Sequence, residues 1–282
     1  MTTRNDNQII GVCRFSYLGE GGFQTQNQDF EKAARILYDV PRMLRRFTYF
    51  ENICLPSLAA QTDRDFFLVV LIGDTMPFRW RKRLKGLMEQ YPFLEVCTLE
   101  AAGPLNSTRR AFRRAWKGTA TYITGFRIDD DDAVACDYIA RTREISDQLL
   151  TLGWADAQTP AAICFHRGIY WDMARPEEEQ FWDFSEKEPL GLASAMITTP
   201  EGMTNIYRWN HRKLASQVRC WIDPNDYMFV RTLHGHNDSD RSIPPDARVL
   251  PAWQAKKLFR ERFGLMPNRL QALIQQTTDD AT

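Results

Sequence analysis

Apolar residues in this chain fall into strand-length runs separated by segments with helical spacing. Ile9, Ile10, Val12, Cys13 and Phe15 mark a first strand over residues 9–17, closed by a turn at Gly19, Gly21 and Gly22. Over residues 42–60, Met43, Phe47, Phe50, Ile53, Cys54 and Leu58 recur at helical spacing, with Pro56 expected to kink or end the helix. Residues 66–72 are uninterruptedly apolar, bounded by Asp65 before and Gly73-Asp74 after, the pattern of a parallel strand buried on both faces. A basic amphipathic helix over 79–91, a strand over 94–99, a break at Gly103-Pro104, a helix capped by Asn106 or Ser107 and a strand over 121–128 continue the alternation.

Beyond residue 151 the pattern loosens. Strands are expected at 161–165 and 192–197, a helix at 199–207, a polar stretch through Ser242, and basic amphipathic helices over 253–274 interrupted at Gly264 and Pro267. No internal repeat or low-complexity linker divides the chain. The pattern predicts an α/β fold in which helices flank a mostly parallel central sheet, with a helical tail at the carboxyl end.

At 282 residues, 44% hydrophobic and 26% charged, the composition is that of an ordinary globular protein with a substantial core. Lysine plus arginine equals aspartate plus glutamate at 36 each, which excludes a global basic field for nucleic-acid binding. The six cysteines lack CxxC or CxxH spacing, so neither a zinc site nor a disulfide framework is expected. Residues 1–8 are polar, and the longest apolar run falls far short of the roughly 20 residues a membrane-spanning helix requires. A cytoplasmic location is the expectation.

The most informative chemistry is the run Asp129, Asp130, Asp131 and Asp132 at the carboxyl end of a strand, where open α/β sheets bind ligands. Four adjacent carboxylates repel one another unless a cation, an arginine or water compensates them, and a hard cation, Mg2+ or Mn2+, is the natural partner. In an extended segment Asp129 and Asp131 would point one way and Asp130 and Asp132 the other. A solvated acidic loop, or a cap for a helix starting near Ala133, is the ordinary alternative.

The context of those aspartates carries a resemblance. A helix with Arg109 and Arg110 near its start, a glycine turn at Gly118, a strand and the Asp-x-Asp-Asp run together resemble a family 2 glycosyltransferase block. Upstream, residues 51–62 and 65–74 look like the first helix, the Ser-Leu-x-x-Gln-Thr turn and the second strand of that fold. With Asn205-Ile206-Tyr207 and His234-Gly235-His236-Asn237, residues 9–245 look most like a bacterial rhamnosyltransferase family, a GT-A-like group with a Rossmann-like sheet.

The resemblance implies a metal-dependent transfer of a hexose or deoxyhexose, rhamnose by the inherited label, from a nucleotide-sugar donor to a glycan or lipid-linked acceptor, with inversion. Asp129, Asp131 and Asp132 would form the metal shell, joined by His234 or His236. Asp74 would contact the nucleotide, and Arg109 and Arg110 its ribose or phosphate. Inversion needs a carboxylate base, for which Asp223 and Asp226 are the candidates, although either could cap a helix starting near Pro224. Residues 1–150 would form the nucleotide-sugar half, 151–250 the acceptor half and 251–282 a helical tail. That tail either packs back on the domain or lies peripherally on the inner face of an anionic membrane. Trp171, Trp182, Trp209 and Trp221 could stack on sugars or serve as core. His166 and His211 read as structural or acceptor-side. Two other classes remain: a nucleotidyltransferase, which would need a basic residue after the first glycine turn, and a carbohydrate- or calcium-binding module using the acidic loop alone.

Overall fold

A computed structural model of the chain describes residues 6–20, 30–202, 204–234 and 242–266. Gly21, Gly22, His236, Asn237 and the helical segment expected beyond Met266 lie outside the described residues. The elements in chain order are β1 (Asn7–Arg14), α1 (Phe30–Leu37), α2 (Val40–Tyr49), α3 (Leu55–Ala59), β2 (Phe66–Gly73), α4 (Phe78–Gln90), β3 (Leu94–Leu99), α5 (Pro104–Ala115), β4 (Tyr122–Arg127), β5 (Ala133–Val134) and α6 (Tyr138–Thr151). They continue as β6 (Ala161–Phe165), β7 (Arg167–Asp172), β8 (Phe181–Ser185), β9 (Ser194–Thr198), β10 (Arg219–Asp223), β11 (Phe229–Leu233), β12 (Arg248–Val249) and α7 (Ala252–Phe263).

Seven strands form the central sheet in the order β10-β6-β9-β4-β1-β2-β3, and all neighbours are parallel except where antiparallel β9 sits between β4 and β6. The mostly parallel sheet matches the expectation. Val69, Val70, Leu71 and Ile72 of β2 are buried on both faces, each side chain contributing about 1.5–3 kcal/mol relative to exposure. On one face α5 packs so closely that a Cβ on Gly125 of β4 would meet the Phe112 ring at 2.7 Å. A second sheet, β12-β8-β7-β11-β5, is mixed. The sequence pattern did not announce it.

Several boundaries differ from the pattern, each for a local reason. The long helix after residue 40 runs through Pro56 by widening to a π turn over Phe50–Cys54, which relieves the clash the proline ring makes with the preceding turn. α5 starts at Pro104 rather than at Asn106 or Ser107, because proline is pre-set for the first helical position and Gly103 precedes it in extended geometry. No helix starts at Ala133, which is a β5 residue paired with β11. Among the described residues none of 199–207 is helical: Pro200 and Gly202 break the backbone and the Asn205 side chain accepts from the Tyr207 amide instead. Nor does a helix follow Asp223. α7 packs back on the core through Ala255, Phe259 and Phe263, and Gly264 ends it in left-handed geometry at φ 65°.

Candidate functional site

Parallel strands place their carboxyl ends on one edge, so Asp74 after β2, Asp129 after β4, His166 after β6 and Asp223 at the end of β10 share it. With strands about 4.8 Å apart, Asp74 and Asp129 stand roughly 10 Å apart along that edge and Asp129 and Asp223 roughly 14 Å. Asp74 is exposed there, its amide bonded to the Leu99 carbonyl.

The acidic run is not extended. It folds into a tight turn in which the Asp132 amide donates to the Asp129 carbonyl at 3.3 Å. The expected pairing of Asp129 with Asp131, and of Asp130 with Asp132, is therefore replaced. Asp130, expected to face away, is fully buried, and the guanidinium of Arg46 from α2 straddles Asp130 and Asp131, with Nη1 donating to Asp131 Oδ2 at 3.1 Å and Nη2 to Asp130 Oδ1. Asp131 Oδ2 also lies 3.0 Å from His234 Nε2, at the end of β11, and the His234 ring stacks on Tyr49 at 4.4 Å. Asp132 Oδ1 accepts from the Thr232 amide at 3.1 Å, while Thr232 Oγ1 donates to the Asp131 carbonyl at 2.7 Å. Asp129 alone is substantially exposed, 3.7 Å from Arg127.

Charges divide unequally in this turn. Burial pushes Asp130 up to about 7, with Arg46 opposing and Asp131 and Asp129 adding repulsion. Burial also works against an ionised Asp131, but Arg46 and the His234 hydrogen bond outweigh it and hold that carboxyl down to about 2. Burial and the Asp131 and Asp129 charges raise Asp132 well above the carboxylate range. Near neutrality the turn thus presents Asp131 as its committed buried anion.

A metal ion can be tested against this donor set. Asp131 Oδ2 and His234 Nε2 stand at 3.0 Å, the separation of neighbouring ligands on an octahedral cation with bonds of about 2.1 Å. Among the described residues no group of three or more His, Cys, Asp and Glu side chains is arranged to hold a metal by itself. An ion held by the Asp131–His234 pair would have to complete its shell with phosphate oxygens and water, as Mg2+ does. The donors fit on those terms.

The other sequence candidates divide. Because α5 begins at Pro104, Arg109 and Arg110 sit in its second turn, beyond the free amides of the helix start. Arg110 pairs with Glu100 on the surface at 3.4 Å, and Arg109 lines a shallow cleft with Ile123, Met196, Thr198 and Asn205, over the amino-terminal half of β4. Asp223 and Asp226 share one partner, Arg141 of α6. Asp223 is buried and also accepts from the Asn225 amide at 3.0 Å, a turn motif in place of the helix cap expected there. Asp226 is the accessible member of the pair.

Trp171 is fully buried in the core, whereas Trp221 is exposed on edge strand β10. His166 uses Nδ1 against the Glu186 carbonyl at 2.8 Å, and burial holds it below the usual histidine range. Burial, with Arg127, Arg212 and Arg231 nearby, pushes His211 down to about 4.

The sequence did not single out Arg46, Arg141, Arg14, Arg127 or Thr232. Arg46 left a signal, a charge on the apolar stripe of Met43, Phe47 and Phe50. Arg14 and Arg127 end neighbouring parallel strands, and their guanidinium carbons lie 5.4 and 5.0 Å from the ring centre of Tyr207. The Tyr207 hydroxyl donates to the Val12 carbonyl at 2.7 Å, fixing that stack to β1.

Comparison with known proteins adds one assignment and two likenesses. The family model described as "Putative rhamnosyl transferase" matches residues 8–246. No curated protein matches the sequence. Among solved structures the chain is similar to S. aureus TarS 1-349 in complex with UDP, at 14% identity over 80% of this chain and 60% of that one, with a TM-score of 0.41. It is also similar to GalNAc-T7 with UDP, GalNAc and Mn2+, at 10% identity over 80% of this chain and 43% of that one, with a TM-score of 0.40. The chain thus spans about 60% of the TarS chain it matches.

Proposed function

The chain belongs to the family described as "Putative rhamnosyl transferase", and on that premise we propose that it is a GT-A-type glycosyltransferase that moves a hexose or deoxyhexose from a nucleotide-sugar donor to a glycan or lipid-linked acceptor. The observation that carries the reading is the Asp129–Asp132 turn at the carboxyl end of β4, with Asp131 ionised and His234 beside it. This is the edge where open α/β sheets receive nucleotides.

In this reading residues 1–150 bind the donor, with exposed Asp74 at the nucleotide and Arg14 and Arg127 at the diphosphate. Two guanidiniums at adjacent strand ends suit the paired oxygens of a diphosphate better than Arg109 and Arg110, which lie on the flank of α5. Asp131 and His234 would hold Mn2+ or Mg2+, with Asp129 open to the same side through water. A bound cation supplies Lewis-acid stabilisation of the departing diphosphate. Residues 151–250 hold the acceptor. Asp226, exposed at the same edge, takes the proton from the acceptor hydroxyl as the sugar transfers with inversion, while Arg141 holds it in place.

Calorimetric titration with UDP, GDP and dTDP, with and without Mn2+, tests the donor assignment: binding of one nucleotide, strengthened by Mn2+, is expected. No binding of any of the three under either condition overturns the reading in favour of a carbohydrate- or ion-binding module.

A further inference from the structure

The turn already contains a cation, one that belongs to the chain. Arg46 is nearly buried, its backbone fixed in α2, and its two Nη atoms are divided between Asp130 and Asp131. Asp131 Oδ2, the oxygen best placed to ligate a metal, accepts from Arg46 at 3.1 Å and faces His234 Nε2 at 3.0 Å. A carboxylate oxygen has two lone pairs, so with both partners in place Oδ2 has nothing left to offer an ion.

One of the two must give way, and the choice is asymmetric. Imidazole can stop donating and present the Nε2 lone pair to the ion from where it stands, whereas guanidinium has no lone pair and repels a second cation. Arg46 also has somewhere to go, since Asp130 already holds its other nitrogen. We propose that Arg46 is a resident counter-cation that latches Asp131 in the metal-free protein, and that a divalent cation enters by taking Asp131 Oδ2 from Arg46, which retreats onto Asp130. The proposal rests on the reading of Asp131 as a metal ligand.

Two consequences are measurable with the metal alone. Wild-type protein binds Mn2+ weakly without nucleotide, because the ion must displace an ion pair. Removing the resident charge while keeping the side chain polar, Arg46→Gln, removes the guanidinium that competes with the ion for Asp131 Oδ2, and Mn2+ affinity rises at least tenfold. Arg46→Lys, which keeps the charge but cannot span both carboxylates, falls between the two. Free Mn2+ counted by electron paramagnetic resonance in nucleotide-free titrations gives the three constants.

Equal or weaker Mn2+ binding by folded Arg46→Gln overturns the latch. If Arg46→Gln is unfolded without metal, the thermal transition decides: refolding with Mn2+, with a larger melting-temperature rise than wild type shows, supports the proposal, and failure to fold at saturating Mn2+ overturns it. Asp131→Asn separates the two levels. Wild-type Mn2+ affinity in Asp131→Asn refutes the metal-ligand reading itself, whereas loss of binding there, together with unchanged affinity in Arg46→Gln, refutes only the latch.

Discussion

Two arginines each straddle a pair of aspartates, and water reaches the two pairs very differently. Arg46 joins Asp130 and Asp131 where their side chains are 1% and 7% exposed, while Arg141 joins Asp223, 11% exposed, to Asp226, 57% exposed. The chemistry is the same in both clamps. In the first, solvent cannot replace a lost partner, so arginine is a structural necessity and one carboxyl shifts its proton affinity to about 7 to share the burden. In the second, water stands ready at Asp226, and arginine only orients. A buried clamp suits a group that must stay charged and in place until an ion arrives; a wet clamp suits a group that must meet a substrate and take a proton from it.

The widest separation between the clamps should be in stability. Arg46→Met, which strands two buried carboxyls, is expected to lower unfolding free energy by about 3–5 kcal/mol, against about 1–2 kcal/mol for Arg141→Met, which strands one, Asp223, still held by the Asn225 amide; denaturant titration of both without metal checks the gap, and equal losses would erase the distinction. Asp226→Asn inverts the contrast: kcat is expected to fall about a hundredfold with little change in melting temperature, and a drop in stability matching the drop in rate would demote Asp226 to a structural role.

Proton linkage gives a smaller effect. His211 binds its proton less readily folded, at about 4, than unfolded, so its share of stability is complete above about pH 6.5 and is lost as pH falls toward 4. Discounted for partial exposure this loss is about 2 kcal/mol, and wild-type stability should fall by that much relative to non-titrating His211→Gln across that window. Last, Arg109→Ala should change the donor constant less than about threefold, whereas Arg127→Ala weakens it at least tenfold, about 1.4 kcal/mol.

Much of the first half was legible because burial on both faces leaves a plain mark. The apolar run of β2 and, in the second half, the wholly buried β6 needed no knowledge of their partners, and the half-exposed edge strand β3 was still marked by Leu94, Val96, Cys97 and Leu99. The second sheet was not legible, since β7 and β8 mix Trp171, Phe181 and Trp182 with Arg167, Asp172 and Asp183, and their burial comes from a partner strand far along the chain. The site followed the same rule. Its acidic turn stood out in the sequence, whereas the residue that neutralises it lies 84 positions away from Asp130, and only its place on an apolar helical stripe hinted at a buried role. Adjacency in sequence suggested alternation; the turn, set by long-range bonds to Thr232 and Arg46, decided otherwise.

β9 carries a consequence for how the chain comes into being. It fills the gap between β4 and β6, yet residues 194–198 are synthesised long after β4. Until they emerge from the ribosome, the nascent chain presents β4 with one open edge, the template on which strands of other chains could pair. A fragment cut at residue 150 keeps the acidic run but lacks the strand that covers this edge of β4, and lacks β11, which pins the turn in place.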